Sequence, residues 1–502
     1  MAEWGFYGRT EPLRELRRVV EAGRWFFCRI EGRRRIGKTT LLGQLARQSD
    51  DFGSKLIYMQ TPDSDERDVA ATLRRSLDES DRNEARALAS SVVDFPSMAA
   101  AIGELCRAGM VVVLDEFQYF TRSALRHFNS FLQAEVDKLR SAALTRGGIF
   151  VLGSLHSDMS ALLEDKAAPL YGRITAQLRL DHWEFEDLMS VFRSQGVEST
   201  AQWLTLWTFF EGVPKFYHDA FEQRLFEVPP QDLARELLVR MFLRGSSPLS
   251  EEADTWFLRE LRGRAVSILH YLADHPGCKH AELVNALNDP HDSTPLGTHI
   301  TRLVTRYGMV DRLHPVFSDS KSRNARYYIT DNFLKAWLSV AKPAREAARL
   351  KPIDRALEPA LRRLETLEGT AFEKLIRNLH VEMSRKGKGD FELSTLQLGY
   401  WNRPRAAARS VEIDLVALDE GNRRVRFGSC KRNASAHDRA AITAFEGHVE
   451  AFLQAQQHRR LRDWRHDKVL FAPQFSEDQR AALSDQGFLC MDLYDYRKMF
   501  WA

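Results

Sequence analysis

Short apolar runs and amphipathic stretches alternate along the first third of the chain. Five runs read as strands, at 25–30, 55–59, 110–114, 149–153 and 176–180, and helical periodicity fills the segments between them. Strands that are apolar on both faces and separated by helices predict a parallel sheet sandwiched between helical layers. From 181 to 245 the pattern is helical and aromatic-rich, with Trp183, Phe185, Trp203, Trp207, Phe209 and Phe210 and no strand. After Ser246-Ser247-Pro248 come three short helical patterns, 261–273, 279–288 and 298–307, and then two strand-like runs, 310–313 and 326–329. Pro343, Pro352 and Pro359 mark a connector. The last segment opens with a helix and gives strands at 412–418 and 425–430. The expected division is 1–180, 181–245, 246–342, a linker 343–360, and 361–502.

Composition narrows the class. At 44% hydrophobic and 28% charged residues, the 502-residue chain has the make-up of a globular protein. Lys+Arg number 72 against 69 Asp+Glu, so any basic surface must come from local clustering. No apolar run approaches the ~20 residues of a membrane span. The start, Met1-Ala2-Glu3-Trp4-Gly5, has no secretory pattern. Five scattered cysteines without CxxC spacing fit reduced thiols, and the expected location is the cytoplasm.

The chemistry begins at Gly32-Arg33-Arg34-Arg35-Ile36-Gly37-Lys38-Thr39, a complete GxxxxGK[ST] between a strand and a helix, with Thr40 in the same turn. Such glycines let backbone N–H groups point inward at phosphate oxygens, at the positive end of the following helix. Lys38 would reach the β/γ-phosphates of ATP and Thr39 would ligate Mg²⁺. The strand 110–114 delivers Asp115 to the same Mg²⁺, and Glu116 is placed to polarise a water, which makes hydrolysis the expected reaction. At the end of 149–153, Ser154 or His156 is a candidate sensor of the γ-phosphate.

With these residues in hand, the chain resembles the archaeal-type ATPase family, within the AAA+/STAND-like P-loop ATPases. Phe6-Tyr7-Gly8-Arg9-Thr10-Glu11-Pro12-Leu13, the phosphate loop, Leu114-Asp115-Glu116-Phe117-Gln118, Gly153-Ser154, Pro169-Leu170-Tyr171-Gly172-Arg173 and Gly212-Val213-Pro214-Lys215-Phe216 carry the resemblance. It implies a helical lid after the core, with Pro214 near the nucleotide, and makes Arg173 a candidate arginine finger, hence a possible homo-oligomer. By residue physics alone, Arg173 reads as a surface ion-pair partner.

Segment 246–342 has the helix–helix–helix–strand–wing–strand order of a winged helix. In its third helix Ile300, Leu303, Val304 and Tyr307 form the core stripe, while Arg302 and Arg306 face out. With Lys321, Arg323 and Arg326 of the wing they are candidate contacts to a DNA backbone. In 361–502, Asp414 on one strand and Lys431 on the next have the arrangement of PD-(D/E)XK nucleases, in which acids hold a divalent cation and a lysine polarises water. The segment is similar to the nuclease-like domain that follows the ATPase core in this family, a resemblance that adds Glu373. Ser429 departs from it, standing where an acid is usual, and a hydroxyl brings no charge to a hard cation. Glu412, which strand alternation can turn away, and Glu446 on the next helix are the acids that could stand in. The expected fold is therefore α/β: a P-loop sheet with a helical lid, a winged helix and a restriction-endonuclease-like domain. The expected function is a Mg²⁺-dependent ATPase acting as a switch or motor on nucleic acid. An ATP-dependent DNA nuclease, in a defence role by family analogy, and a regulatory ATPase binding a protein partner stay open.

Overall fold

The computed structural model describes residues 3–48, 52–53, 55–142, 145–154, 156–256, 258, 261, 263–287, 294–318, 324–395, 399–402 and 410–501. It divides into two compact units: Gly5–Trp183 with Val213–Lys215, and Met1–Trp4 with Glu184–Gly212 and Phe216–Ala502.

The first unit is built on five parallel strands: β1 Phe26–Gly32, β2 Leu56–Gln60, β3 Val111–Asp115, β4 Gly148–Gly153 and β5 Ala176–Leu180. Their order is β2-β3-β4-β1-β5, all pairs parallel. Strand alternation divides the apolar residues between two cores. Phe27, Val112, Leu114, Ile149 and Val151 join one cluster with the helices Glu66–Asp78, Phe95–Arg107 and Phe128–Ser141. Phe26, Ile30, Val111, Val113, Phe150 and Leu152 join the other with Thr10–Glu21 and Lys38–Arg47. Burying both faces of β3 and β4 is what an uninterrupted apolar run allows. Arg29 and Glu31 interrupt β1 yet are buried, because they pair with each other and Arg29 also donates to Glu164 at 2.5 Å.

In the second unit the helix Thr200–Phe210 is buried nearly all round, which accounts for its aromatic density. The middle of this unit has helices Arg264–Asp274, His280–Leu287 and Leu296–Thr305. Beside them lies an antiparallel sheet of β6 Cys278–Lys279, β7 Val310–Leu313 and β8 Arg326–Ile329, in the order β6-β8-β7. A short antiparallel pair follows, β9 Tyr400–Trp401 with β10 Glu412–Ile413. The last sheet runs β11 Leu415–Asp419, β12 Arg424–Cys430, β13 Arg465–Phe471 and β14 Leu489–Met491. Its first pair is antiparallel and the rest are parallel, with the helix Arg439–Gln454 crossing from β12 to β13. The five cysteines are free. No helix among the described residues is long and apolar enough to cross a membrane.

Two departures from the sequence reading matter. The stretch 343–360, read as a connector from its prolines, is mostly helical. Its helices are Lys342–Ala348 and Ile353–Arg385, with residues 349–352 between them and Pro359 inside the second. Pro359 sits near the start of that helix, where its missing N–H costs one backbone bond and a buried face (Ala356, Leu357, Ala360, Leu364, Leu367) offsets the loss. The expected strand 412–418 is broken at Asp414 into β10 and β11, so this acid sits at a bend rather than inside a ladder.

His380, on the same long helix, provides a stability test. Its Nδ1 lies 2.8 Å from the Ile376 carbonyl oxygen and its ring meets Phe471 edge-on. Burial, with Arg426 adding to it, pulls the imidazole from 6.5 down to about 4. The unfolded ring takes up a proton near 6.5 while the folded one stays neutral, so this stability is complete above about 6.5 and is lost as pH falls through about 4. Urea unfolding at neutral and acid pH is expected to show His380→Met losing on the order of 3 kcal/mol less than wild type over that window. Equal losses would contradict the assignment.

Candidate functional site

β1 runs into the loop Arg33–Gly37 and straight on into the helix Lys38–Arg47. Two glycines are structurally required there. A Cβ on Gly32 would lie 2.5 Å from the Leu180 carbonyl oxygen, and Gly37 has φ 92°. Lys38 is 8% exposed, and its Nζ donates to the carbonyls of Gly32 at 2.8 Å and Arg33 at 3.2 Å. The ammonium therefore lies inside the curl of the loop. Burial lowers its pKa, and the carboxylates of Asp115 and Glu116 oppose that shift. Arg9 braces the loop from outside by donating to the Ile36 carbonyl at 3.1 Å. Arg33 approaches His182 at 3.4 Å, Arg34 is exposed, Arg35 has φ 65°, and Ile36 is fully buried as the loop's apolar anchor. Thr39 and Thr40 lie exposed at the helix start.

Asp115, at the end of β3, gathers three donors. Its Oδ2 accepts from Thr39 Oγ1 at 3.0 Å and from the Tyr58 hydroxyl at 2.6 Å, and its Oδ1 accepts from the Glu116 N–H at 2.7 Å. Burial first, then the hydrogen bond to Asp115, raises the Tyr58 phenol. Glu116 is in the left-handed region at φ 53° and ψ 37°, a costly conformation for a residue with a Cβ. Its carboxylate accepts from Gln118 Nε2, which also donates to Ser154 Oγ at 3.3 Å. The structure thus brings Lys38, Thr39, Asp115, Glu116 and Ser154 together. The sequence reading missed Tyr58 and Arg9 as supports. The signal for Tyr58 was a phenol among the apolar residues of β2, one residue from a fully buried methionine.

Arg173 is engaged by another carboxylate. It forms a bidentate pair with Asp137, Nε to Oδ1 and Nη2 to Oδ2 both at 2.8 Å, the ion-pair role its residue type suggested. Pro214 opens the helix Pro214–Glu222. The side chain of His156 lies outside the described residues.

The second unit assembles another charged cluster. Glu373, on the long helix, is pushed up to about 7 by burial and then by Asp414, against Arg377 and Lys335. Asp414 is raised by burial even though it accepts from the Cys430 N–H at 2.8 Å and faces Lys431. Glu373, Asp414 and Lys431 therefore share one electrostatic field, to which Glu412 adds its charge. Glu412 is itself paired with Arg326 at 2.6 Å, and Glu446 with Lys468 at 2.6 Å. Ser429 is buried in β12.

Arg302 on Leu296–Thr305 and Arg306 at its C-cap are exposed, whereas Ile300 and Leu303 of the helix are buried. Lys321 and Arg323 lie outside the described residues. Arg326 is not turned outward as a free basic group. It stacks on the Trp401 ring at 4.7 Å and pairs with Glu412. The connection between β7 and β8 is clamped at the same place. Asn324 and Trp401 exchange side-chain to backbone hydrogen bonds at 3.0 and 2.9 Å, and Val316 is buried among Tyr400, Phe452 and Phe427.

The sheet order, the loop and the acid pair define the first unit as a phosphate-loop ATPase fold. Residues 6–220 match the family of ATPase domains found predominantly in Archaea, and residues 337–442 match a family of archaeal and bacterial proteins of unknown function. An uncharacterised protein of Methanocaldococcus jannaschii is 23% identical over 432 residues, 85% of this chain and 87% of its own. The Walker-type ATPase of Pyrococcus abyssi shares the fold, with a TM-score of 0.51 at 16% identity over 67% of this chain and 96% of that one. The Aeropyrum pernix ORC2 protein, solved as ADPNP–ADP complexes, has a TM-score of 0.45 at 14% identity, covering 71% of this chain and 94% of its own.

Proposed function

We propose that this chain is a Mg²⁺-dependent ATPase whose nucleotide cycle works as a switch or motor on nucleic acid. The observation that carries the ATPase reading is the buried Lys38 ammonium inside its loop beside the Thr39–Asp115 contact. The residues present fit the metal, since a hydroxyl and a carboxylate meeting at 3.0 Å beside the phosphate loop are the oxygen donors Mg²⁺ takes. Thr39 and Asp115 would hold Mg²⁺, which when bound neutralises charge on the β- and γ-phosphate oxygens. Lys38 and the loop N–H groups grip the triphosphate. Glu116 takes the proton of the attacking water, and Ser154 contacts the γ-phosphate.

In this reading 1–180 is the core, 181–245 a lid that brings Pro214 to the nucleotide, 246–342 a winged helix, and 361–502 a PD-(D/E)XK-like domain. Arg302 and Arg306 would touch the phosphate backbone, and their exposure supports that role. The test is ATP hydrolysis with and without single- and double-stranded DNA, with the DNA from the same tubes resolved on a gel. Stimulation with intact strands is expected. It should weaken as salt rises and fall on changing Arg302 and Arg306 together. No response to any DNA would replace the nucleic-acid reading with a regulator that binds a protein.

A second reading, ATP-dependent cleavage, is favoured by the shared field of Glu373, Asp414 and Lys431. Nicking in Mg²⁺ or Mn²⁺ that disappears in Asp414→Ala would establish it. Intact DNA in both metals, with ATPase activity present, would remove it and make Ser429 the mark of a lost acid.

A further inference from the structure

Gln118 lies two residues beyond the acid pair, in the short 3-10 turn Phe117–Thr121, and is 4% exposed. Its amide nitrogen spends both protons on functional neighbours, one on the Glu116 carboxylate and one on Ser154 Oγ. The other end of the amide makes no such contact. Gln118 Oε1 is buried without a hydrogen-bond partner among the described residues. A Cβ on Gly153 would meet the Met159 side chain first and would also come within 3.1 Å of this oxygen. A buried acceptor left unpaired is costly, and it calls for an explanation. The Glu116 carboxylate supplies one: it only accepts, so it dictates that the amide turns its nitrogen inward and its oxygen away.

The topology explains the meeting. β4 is inserted between β1 and β3, so Ser154 at its end lies beside the acid-bearing end of β3. Glu116 in its left-handed conformation and Gln118 in the turn then reach the same spot. Ser154 accepts from Gln118, which leaves its own hydroxyl proton to donate elsewhere.

We infer that Gln118 is a positioning residue for ATP hydrolysis, aligning the Glu116 carboxylate and tying it to Ser154, whose hydroxyl donates to a γ-phosphate oxygen. The inference rests on the reading of Glu116 as the base. In the reaction the water oxygen bonds to the γ-phosphorus, and the bond from that phosphorus to the β–γ bridging oxygen breaks with its electron pair leaving on ADP. The water's proton passes to Glu116 and is later released. Gln118 touches neither nucleotide nor water. It sets where the accepting oxygen lies and links that position to the presence of a γ-phosphate.

The test compares Gln118→Leu, Gln118→Glu and Glu116→Gln with wild type for ATP affinity, KM and kcat from acid to alkaline pH. Gln118→Leu is expected to lower kcat by about 10- to 100-fold while KM changes less than about threefold, because alignment is lost and binding is not. Unchanged ATP affinity also establishes that the variant is folded. In Gln118→Glu a second carboxylate faces Glu116, so kcat is low at alkaline pH. It recovers relative to wild type below about pH 6, where the new carboxyl regains a proton to donate. Lys38, Tyr58 and Tyr119 also feel the Glu116 charge, and wild type carries their titration as the baseline. A wild-type kcat in Gln118→Leu, or a Gln118→Glu profile parallel to wild type, would overturn the inference. Wild-type turnover in Glu116→Gln would instead overturn the underlying assignment of the base, so the two failures are distinguishable.

Discussion

Lys38→Ala is expected to abolish ATP binding at millimolar nucleotide and to lower kcat/KM by more than about 100-fold, in line with loss of a preorganised cation from a buried phosphate site. Lys38 is held inside the loop by two carbonyls, and burial disfavours its ammonium despite the nearby Asp115 and Glu116 charges, so the site favours a further anion. A triphosphate supplies that anion. Removing the side chain leaves the β- and γ-phosphates facing Asp115 and Glu116 with no cation from the loop lysine. The fold should survive, because Ile36, Leu41, Leu42 and Leu45 anchor the loop and its helix. Fluorescent-nucleotide binding with a thermal melt as control is the measurement. Wild-type affinity in a folded Lys38→Ala protein would displace the loop as the nucleotide site.

Glu116→Gln is expected to do the reverse: ATP binds as in wild type, and hydrolysis falls by about 100- to 10,000-fold, the range associated with loss of a general base. The amide cannot take a proton from water, yet it is isosteric and can occupy the same left-handed residue. In the proposed reading binding would rest on Lys38, Thr39 and Asp115, whose mutual contacts the change leaves in place. Single-turnover hydrolysis with a filter-binding assay for retained nucleotide reads both halves. A trapped ATP state would also give the form best suited to measuring nucleic-acid affinity. Turnover at the wild-type rate would show that another group accepts the proton.

Much of the first unit was legible because its signals are local. β5 falls on the run expected at 176–180, and the other four strands of the sheet lie within two residues of theirs. Continuous apolar runs between amphipathic helices have few other ways to be buried. The phosphate loop was equally legible, since glycine, lysine and threonine at that spacing follow from backbone curvature and phosphate charge. In the second unit, β7 and β8 coincide with the expected runs for the same reason, and the two-residue β6 was missed because so short a strand carries no periodicity.

Other features were not legible. Three prolines suggested a connector at 343–360, but packing of an apolar face kept the chain helical past Pro359. Arg326 looked like a free basic residue of a wing, and it is instead stacked on Trp401 and paired with Glu412, residues far along the chain. Glu373, Asp414 and Lys431 come from three elements, and only folding gives them one field.

The sequence by itself therefore determined the five strands of the first unit, the phosphate-loop motif and the acid pair, because each depends on neighbours within a few residues or one strand. The tertiary structure alone decided that Gln118 bridges Glu116 and Ser154, that Arg173 is taken up by Asp137, and that Glu412 and Glu446 are taken up by Arg326 and Lys468. Those choices depend on which side chains the sheet order and helix packing bring within hydrogen-bonding distance, and that distance is not written in the spacing of residues along a chain.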